Sequence, residues 1–306
     1  MRAVVLSAYG GPELLTVSHL PEPAAPDASA ILIRVTAAAV NPVDLQTRAG
    51  LHAGHSAGQP PMVLGWDVAG TVAAVGDDVT AFRPGDDVVA MSAQMATGRG
   101  TYAETMVLPA DIAAPAPASV PLTTAAGLPL AGLTAHQALD ALGLPEGATL
   151  LVTGAVGSVG GLAVQLARLR GWRVVAQVRH GADAEEALAL GATEVRVGAT
   201  EPPLSGGPGV DGLLETAGLP QAIGAVRGGG RVVSIVPTRR PVAERGITVT
   251  VNHVEQDGAG LARLTELVDS GALRLRSTKE YGFDDAAEAH RSLAEGGVRG
   301  KLLLVP

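Results

Sequence analysis

The sequence contains no cysteine, and that absence excludes several kinds of site at once. Disulfide bonds, cysteine nucleophiles, iron–sulfur clusters and zinc sites built from thiolates all need this residue. Aromatic residues are scarce as well, with two Trp, three Tyr and two Phe in 306 residues. A planar ligand therefore cannot be enclosed by a cage of aromatic rings.

Positive charge and long apolar runs are also in short supply. The formal net charge is −8 and the basic residues are not clustered, so neither a nucleic acid nor an anionic membrane is expected as a partner. Residues 112–139 and 147–167 lack formal charge, but the first stretch contains prolines and the second is rich in glycine, which argues against membrane spans. No export signal is evident at the N-terminus, and we expect a cytoplasmic protein.

The pattern of the chain changes near residue 122. Before it, short apolar runs alternate with turn residues, which is typical of a β-rich domain such as a partly open barrel or sandwich. After it, strands alternate with helices of ~10–15 residues, which predicts an α/β region with a parallel sheet covered on both faces. The predicted strands are 2–7, 14–20, 31–38, 67–75, 88–91, 101–108, 149–153, 173–178, 194–197, 212–215, 231–236, 247–251 and 301–305, and the predicted helices are 122–142 (one or two), 159–169, 183–191, 259–270 and 285–294.

A glycine-rich turn lies between strand 149–153 and helix 159–169. Gly154, Gly157 and Gly160 are spaced three residues apart. The first permits a tight turn, the second lets the backbone approach a pyrophosphate at the helix N-terminus, and the third lets helix and strand pack closely. A lone glycine motif is weak, but strand, turn and helix in this order predict a dinucleotide site.

The residues after strand 173–178 bear on the choice of cofactor. An acid there would bond the ribose of NAD, whereas a basic residue would suit the 2′-phosphate of NADP. Residues 147–182 contain no Asp or Glu, and the strand is followed by Arg179 and His180. Arg179 can form charge-assisted bonds to a phosphate, so we predict NADPH. The alternative is that both are ordinary solvated loop residues.

With these motifs the chain resembles the zinc-independent quinone oxidoreductases (zeta-crystallin-like) of the medium-chain dehydrogenase/reductase superfamily. The resemblance covers almost the whole length, and its motifs are more specific for the superfamily than for the substrate. The segments that carry it are AAAVNPVDLQTRAG (37–50), LGWDVAGTVAAVG (64–76), RPGDDVVA (83–90), LPLAGLTAHQAL (128–139), TGAVGSVG (153–160), VDGLLETAG (210–218), GGGRVVSIV (228–236) and GKLLLVP (300–306).

This resemblance implies a GroES-like catalytic domain, residues 1–121 and 272–306, and a Rossmann NADP-binding domain, residues 122–271. It also implies an active site in the cleft and a homodimer. Zinc-dependent relatives place metal ligands at three positions that match Asn41, Trp66 and Leu130, none of which is a usual zinc ligand. Without a Lewis acid, acceptors that are already electrophilic are favoured over alcohols.

Five residues are candidates for the catalytic site. Asn41 has an amide that could bond a carbonyl oxygen, or it is a turn residue before a proline. Gln46 and His52 follow on the segment that should face the substrate, where relatives often have tyrosines, and His52 could donate a proton or lie in a loop. Trp66 could stack on a planar ring or pack in the core. Thr134 matches a family motif near the nicotinamide.

Two carboxylates and one histidine receive weaker assignments. Asp44 and Asp67 are expected to hold a loop rather than to transfer protons, and His290 has no motif support.

The family tyrosine that helps to bind the 2′-phosphate would fall near Gly198, so Arg179 must carry more of that contact, with Arg299 as a second candidate. The complete set predicted to bind the cofactor is Gly154, Ala155, Gly157, Ser158, Val159, Gly160, Arg179, His180, Thr216, Ala217, Val236 and Arg299.

Three functions are compatible with these residues. The first is NADPH-dependent hydride transfer to quinones without zinc. The second is reduction of enones, alkenals or enoyl thioesters, which requires a proton donor for the neighbouring carbon. The third, of a different class, is an NADPH-binding structural or regulatory protein.

Overall fold

The computed structural model describes residues 1–54, 57–198 and 209–306, and within them the chain divides into two compact units. The first unit contains residues 1–130, 255–271 and 275–306, and the second contains residues 131–254 and 272–274. No helix in these described ranges is long and apolar enough to cross a membrane.

The first unit is built mainly from antiparallel strands. They are β1 (Arg2–Leu6), β2 (Leu15–His19), β3 (Ala30–Val40), β4 (Met62–Val63), β5 (Asp67–Val75), β6 (Asp87–Met91), β7 (Thr105–Pro109), β8 (Ala113–Pro115), β15 (Ser277–Gly282) and β16 (Lys301–Val305). A three-stranded sheet has the order β2-β1-β4, and a larger sheet has the order β15-β16-β3-β5-β6-β8, with β7 also paired to β3. Alternating side chains fill two apolar cores, one around Tyr102 and Phe283 and the other around Ile31 and Phe82.

The second unit is a doubly wound parallel sheet. Its strands are β9 (Thr149–Val152), β10 (Arg173–Val178), β11 (Glu194–Val197), β12 (Val210–Glu215), β13 (Val226–Ser234) and β14 (Thr248–Val251). Their order is β11-β10-β9-β12-β13-β14, and every pair is parallel. Counted from its first strand this is the order 3-2-1-4-5-6 of dinucleotide-binding folds, so the predicted Rossmann architecture is confirmed.

The described residues also form eight α-helices. They are α1 (Pro42–Arg48), α2 (Gln94–Thr97), α3 (Leu122–Ala125), α4 (Pro129–Leu142), α5 (Ser158–Leu169), α6 (Ala184–Ala189), α7 (Gly258–Asp269) and α8 (Ala286–Glu295). The predicted segment 122–142 thus forms two helices. Gly171 follows α5 with a positive φ of 74°, as its predicted stop position requires.

The C-terminal segments return to the first unit. Strand β16 pairs antiparallel with β3 in the larger sheet of that unit. Helix α7, which the predicted bounds place in the nucleotide domain, belongs to the first unit by its contacts. Close packing explains this placement, because a Cβ on Gly258 would lie 2.2 Å from the carbonyl oxygen of Asp111. The predicted domain bounds themselves stay a prediction.

Some predicted local features differ from the structure. Short helix α1 and strands β4, β8 and β15 were not predicted. In the capping-box-like pair, Asp183 is the N-cap of α6 and Glu186 lies in its first turn, but the Asp183 side chain makes no cap hydrogen bond, and a 3-10 turn (Gly181–Asp183) leads into that helix. The capping box that does form joins Asn41 and Asp44 at the start of α1.

Candidate functional site

The glycine turn between β9 and α5 has two positions that admit only glycine. Gly154 has a φ of +60°, in the left-handed region that side chains rarely adopt. A Cβ on Gly160 would lie 2.2 Å from the carbonyl oxygen of Gly154, so this position lets α5 approach the turn closely. These are the tight-turn and close-packing roles that the motif predicts for its first and third glycines.

The middle glycine of the turn is different, because its backbone does not demand glycine. Gly157 is the N-cap of α5 with a φ of −71°, and a Cβ there would meet one described heavy atom within 4 Å, the Gly154 carbonyl oxygen at 3.2 Å. Apart from its neighbours along the chain, no other atom among the described residues lies within 4 Å of this Cβ position. An open face at a helix N-terminus is where an anion such as a pyrophosphate can approach the backbone.

The side chain of Gln177 on β10 fixes the start of the turn. Its Oε1 accepts a hydrogen bond from the Gly154 amide at 3.1 Å, while its Nε2 donates to the carbonyl oxygens of Val178 and Gly198. Its backbone carbonyl accepts from the Ala155 amide at 3.0 Å. One residue therefore connects the glycine turn with the ends of β10 and β11. Gln177 was not among the predicted site residues, and its amide side chain within an apolar strand is the signal that could have revealed it.

A buried carboxylate connects three neighbouring strand ends of the second unit. Glu215 Oε1 accepts hydrogen bonds from the amides of Ala217 and Leu219 and from the hydroxyl of Thr153, while Oε2 accepts from the hydroxyl of Ser234. Glu215 is inaccessible to solvent. The ends of β9, β12 and β13 are thereby held together at the edge where parallel sheets bind ligands.

The predicted cofactor residues Thr216, Ala217 and Val236 lie in or beside this network. The Thr216 hydroxyl donates to the Thr153 carbonyl at 2.6 Å, and the Thr216 backbone amide donates to the Thr153 hydroxyl at 2.8 Å. Val236 donates its amide to Ser234 Oγ at 3.2 Å. Within the second unit, the structure thus brings these three residues together at the carboxyl ends of the strands.

The remaining cofactor candidates are distributed over both units. Ala155 is buried in the turn, and Ser158 and Val159 are half-buried in the first turn of α5. Arg179 and His180 are exposed directly after β10, and no carboxylate of the described residues forms a salt bridge with Arg179. Arg299 is exposed and belongs to the first unit.

In the first unit, Asn41 lies just after β3 and caps α1. Its amide nitrogen Nδ2 donates to the Ala39 carbonyl at 3.1 Å and to Asp67 Oδ2 at 2.9 Å. Its backbone amide donates to Asp44 Oδ2 at 2.8 Å. Both hydrogens of the side-chain amide are therefore donated to protein acceptors. This geometry is that of a residue that holds a turn before a proline, which is the alternative to substrate binding given for Asn41 above.

Lys301 and Asp67 form a buried ion pair beside Asn41. The Lys301 ammonium donates to Asp67 Oδ2 at 2.9 Å and also to Asn41 Oδ1. The side chain of Lys301 is 5% exposed and that of Asp67 is 0% exposed. The sheet explains this meeting, because β16 and β5 both begin beside the end of β3. Asp67 Oδ1 also accepts from the Leu130 amide at 2.6 Å, at the start of α4.

A second buried cluster joins α1 to α8. The Tyr102 hydroxyl lies 3.0 Å from Asp44 Oδ2 and 3.4 Å from His290 Nε2. Burial raises the pKa of Asp44 to about 7, while the hydrogen bonds from Asn41 and Tyr102 act in the opposite direction. Burial lowers the pKa of His290 to about 3, and the charge of Arg48 adds to that effect. His290 is therefore neutral at pH 7.

The other catalytic candidates do not join these clusters. Gln46 Oε1 and His52 Nε2 lie 3.2 Å apart near the surface, so the structure brings those two residues together. Trp66 is 8% exposed, and its indole nitrogen makes no hydrogen bond with the residues described. Thr134 is buried on α4 and belongs to the second unit.

Lys301 was not among the predicted site residues, although it belongs to the segment GKLLLVP that contributes to the family resemblance. The chain has 20 Arg and 2 Lys, so a lysine is an uncommon residue type here. Its rarity, together with its place at the start of an apolar strand, is the signal that could have found it. Its partners Asn41 and Asp67 lie more than 230 residues away, and no spacing rule predicts that contact.

The cluster formed by Asn41, Asp67 and Lys301 does not suit a metal ion. Among residues 1–54, 57–198 and 209–306, no group of three or more His, Cys, Asp and Glu side chains could hold one. The ammonium of Lys301 contacts both Asn41 and Asp67, and its positive charge opposes a cation at the same point. Zinc would require thiolate, imidazole or several carboxylate ligands, and the described residues of this cluster do not supply them.

Comparisons with known proteins agree with this architecture. The model of the alcohol dehydrogenase GroES-like domain matches residues 27–118, and that of the zinc-binding dehydrogenases matches residues 190–304. The chain is 31% identical to the chloroplastic quinone-oxidoreductase QR1 of Triphysaria versicolor, over 100% of this chain and 98% of that protein. It is 30% identical to the chloroplastic NADPH-dependent alkenal/one oxidoreductase of Arabidopsis thaliana, over 100% of this chain and 80% of that protein.

Solved structures show the same likeness. The quinone oxidoreductase of Coxiella burnetii has a TM-score of 0.90 at 28% identity, covering 100% of this chain and 99% of that one. The Escherichia coli quinone oxidoreductase, solved in complex with NADPH, has a TM-score of 0.85 at 25% identity and covers 100% of both chains.

Proposed function

Because the chain belongs to the quinone oxidoreductase family of the medium-chain dehydrogenases/reductases, we propose that it reduces quinones by hydride transfer from NADPH. The observation that carries the proposal is the geometry of the glycine turn. Gly157 leaves space for a ligand at the N-terminus of α5, and the exposed Arg179 follows the neighbouring strand β10. Relatives named as quinone oxidoreductases match over the full length of the chain and support the choice of acceptor.

NADPH fits the residues of the second unit. Gly157 leaves room for the pyrophosphate, and the N-terminus of α5 favours its negative charge. Arg179 would bind the 2′-phosphate, with His180 beside it. Glu215 and Gln177 would not touch the cofactor but would hold the loops that do. When bound, the nicotinamide supplies the hydride, and the protein supplies binding and orientation.

We also propose that this reduction proceeds without zinc. The support is the donor set around Lys301, in which an ammonium stands beside an amide and one carboxylate. A metal would lower the barrier by polarising the acceptor oxygen. A quinone is electrophilic without that help, so hydrogen bonding to the developing oxyanion is sufficient. We expect activity to survive prolonged dialysis against a chelator and the purified protein to carry less than one zinc per chain.

A homodimer is the proposed assembly. Strand β14 lies at one end of the six-stranded sheet and has a single strand partner among the described residues. An open edge of this kind is a surface where a second copy can add its own strand. A sedimentation velocity experiment at several concentrations tests the proposal, and a monomer throughout would contradict it. The cytoplasmic location stays a prediction.

The test of the proposed function is a panel of acceptors under anaerobic conditions. The loss of nicotinamide absorbance is followed with NADPH or NADH and with benzoquinones and naphthoquinones of different potentials. We expect saturable oxidation of NADPH with quinones and weaker use of NADH. Absence of NADPH oxidation with every quinone, by protein that binds NADPH, would contradict the proposal.

Reduction of enones is the second candidate function. It is favoured by the relatives named alkenal/one oxidoreductase and 2-methylene-furan-3-one reductase, which match 100% of this chain. Such a reaction adds a hydride to one carbon and needs a proton for its neighbour. Turnover of alkenals and enones well above that of quinones, in the same panel, would favour this function over the first.

A further inference from the structure

The ammonium group of Lys301 has one hydrogen more than it has partners among the described residues. Nζ carries three hydrogens, and it makes two hydrogen bonds with the described residues, to Asp67 Oδ2 and Asn41 Oδ1. Its side chain is 5% exposed, so water cannot freely satisfy the third hydrogen. A buried charged donor with an unused hydrogen is uncommon, because leaving it unpaired costs free energy. Such a donor points to a ligand that accepts from it.

The neighbouring Asn41 cannot take the donor role that the sequence suggested for it. Both hydrogens of its Nδ2 are given to Ala39 and Asp67, and its oxygen accepts from Lys301. To bond an acceptor molecule, Asn41 would have to give up a buried hydrogen bond that it already makes. Lys301 would break none. In this cluster the lysine is therefore the group able to bind a carbonyl oxygen.

The position of Lys301 suits a charge that develops during the reaction. Asp67 fixes the ammonium on one side and is itself held by the Leu130 amide at 2.6 Å. Both charged residues stand at the beginnings of strands, so neither depends on a loop for its position. Donors that are already oriented and shielded from water stabilise a developing oxyanion much more than exposed ones do.

We propose that Lys301 is a catalytic residue that donates its third hydrogen to the carbonyl oxygen of the acceptor. This inference rests on the proposed function. During reduction the acceptor receives a hydride with its electron pair from the cofactor, which is thereby oxidised to NADP⁺. The negative charge left on the acceptor oxygen is stabilised by the bond from Lys301. One proton from solvent then completes the hydroquinone or the saturated carbonyl product.

The experiment compares three variants in the full-length protein. Lys301→Met alone leaves Asp67 buried without its partner and can fail to fold, so it is combined with Asp67→Asn, whose amide oxygen still accepts from Leu130. Asp67→Asn alone keeps the ammonium but removes its partner. Lys279→Met, at the other lysine of the chain, is the matched control, since Lys279 is exposed on β15.

We expect kcat with quinones to fall about 10²- to 10³-fold in Lys301→Met/Asp67→Asn, the loss seen when an oxyanion donor is removed. In Asp67→Asn we expect a fall of at most about tenfold, and NADPH affinity should stay within about threefold of the wild type in both. Equal kcat in the folded double variant and in Asp67→Asn would overturn the proposal, because the pair would then be structural.

A binding measurement gives a readout that does not depend on turnover. The probe is 4-nitrophenol, whose phenolate resembles the charged acceptor oxygen and whose absorbance reports hydrogen bonding. We expect the wild type saturated with NADP⁺ to bind it at least tenfold more tightly than the double variant does. Equal binding would contradict the proposal. A large loss of NADPH affinity in the double variant would also contradict it, since Lys301 would then serve the cofactor phosphates. A wild type that reduces no acceptor would instead refute the proposed function.

Discussion

The carboxyl group of Asp44 accepts a hydrogen bond of 3.0 Å from the hydroxyl of Tyr102, and both side chains are buried. Burial raises the pKa of Asp44 to about 7 in the folded state, against 3.8 as its ordinary value. Between these two values the folded protein holds a proton on Asp44 that the unfolded chain has already released. The contribution of protonated Asp44 to the free energy of unfolding is fully present below about pH 4 and is lost as the pH rises through about 7.

The first prediction concerns Asp44→Asn. The new amide oxygen at this position can still accept from Asn41 and Tyr102, but the amide does not titrate, so this contribution to pH dependence disappears. The difference between 3.8 and about 7 corresponds to roughly 4 kcal/mol as an upper bound. Urea unfolding at fixed ionic strength from pH 4 to 8 measures it. We expect the variant to gain stability relative to the wild type as the pH rises, and a constant difference would contradict the prediction.

The second prediction concerns His290, whose contribution has the opposite sign. Its pKa falls to about 3 in the folded state, against 6.5 as its ordinary value. The stabilisation is fully present above pH 6.5 and is lost as the pH falls towards about 3. His290→Gln should therefore lose less stability on acidification than the wild type does. The comparison is cleanest in the Asp44→Asn background, where the opposing contribution is gone, and parallel curves there would refute it.

The third prediction uses two glycines of one turn. In Gly160→Ala the new methyl group would lie 2.2 Å from the Gly154 carbonyl oxygen, and overpacking of this kind costs about 1–3 kcal/mol. In Gly157→Ala the corresponding distance is 3.2 Å, and the backbone already suits alanine. We expect Gly157→Ala to keep its stability within about 1 kcal/mol while losing about tenfold in NADPH affinity. Equal effects of the two variants on both measurements would contradict these separate roles.

The fourth prediction concerns the choice between NADPH and NADH. Arg179→Ala should weaken NADPH binding by about 1.5–3 kcal/mol, the value of a hydrogen bond to a charged group, and should hardly affect NADH. Arg173→Ala is the control, since Arg173 is exposed at the opposite end of β10. Fluorescence titration with both cofactors measures the difference. Equal losses for NADPH and NADH would mean that Arg179 does not contact the 2′-phosphate.

Local pattern was enough to predict most of the fold. The strands 67–75, 173–178, 194–197 and 301–305 have the predicted bounds, because apolar runs between turn residues are local signals. Helix α1 was not predicted because it spans only seven residues, although Asn41 at the N-cap and a proline at the first position are signals for a helix start. Strand β15, with the sequence STKEYG, carries charged residues because it lies at the edge of its sheet, where one side is open to solvent.

The candidate site was less predictable than the fold. Glycines 154, 157 and 160 follow from spacing, because the turn that they make is local. The pairing of Lys301 with Asp67 depends on β16 pairing with β3, and the large sequence separation means that no local pattern predicts it. Of the two hydrogen bonds that the Asn41 amide donates, the one to Ala39 is local, whereas the one to Asp67 depends on the pairing of β3 with β5. Residue type predicts what a side chain can donate, but the fold determines to which atom it donates.

The last prediction concerns Glu215, which the structure makes a positioning residue for the cofactor loops. In Glu215→Gln the remaining oxygen can accept from Ala217, Leu219 and Thr153, and the new amide can donate to Ser234 after its hydroxyl turns towards Val236. We therefore expect this variant to stay within about 1 kcal/mol of the wild type in stability.

Glu215→Leu has nearly the same volume but accepts nothing. It leaves the amides of Ala217 and Leu219 without their acceptor, at roughly 2–6 kcal/mol for the two together. If Glu215 acts by holding these loops, NADPH affinity should fall in Glu215→Leu and remain in Glu215→Gln, as measured by urea unfolding and fluorescence titration on the same samples. A loss of NADPH affinity in both variants would instead mean that the charge of Glu215 matters to the cofactor directly.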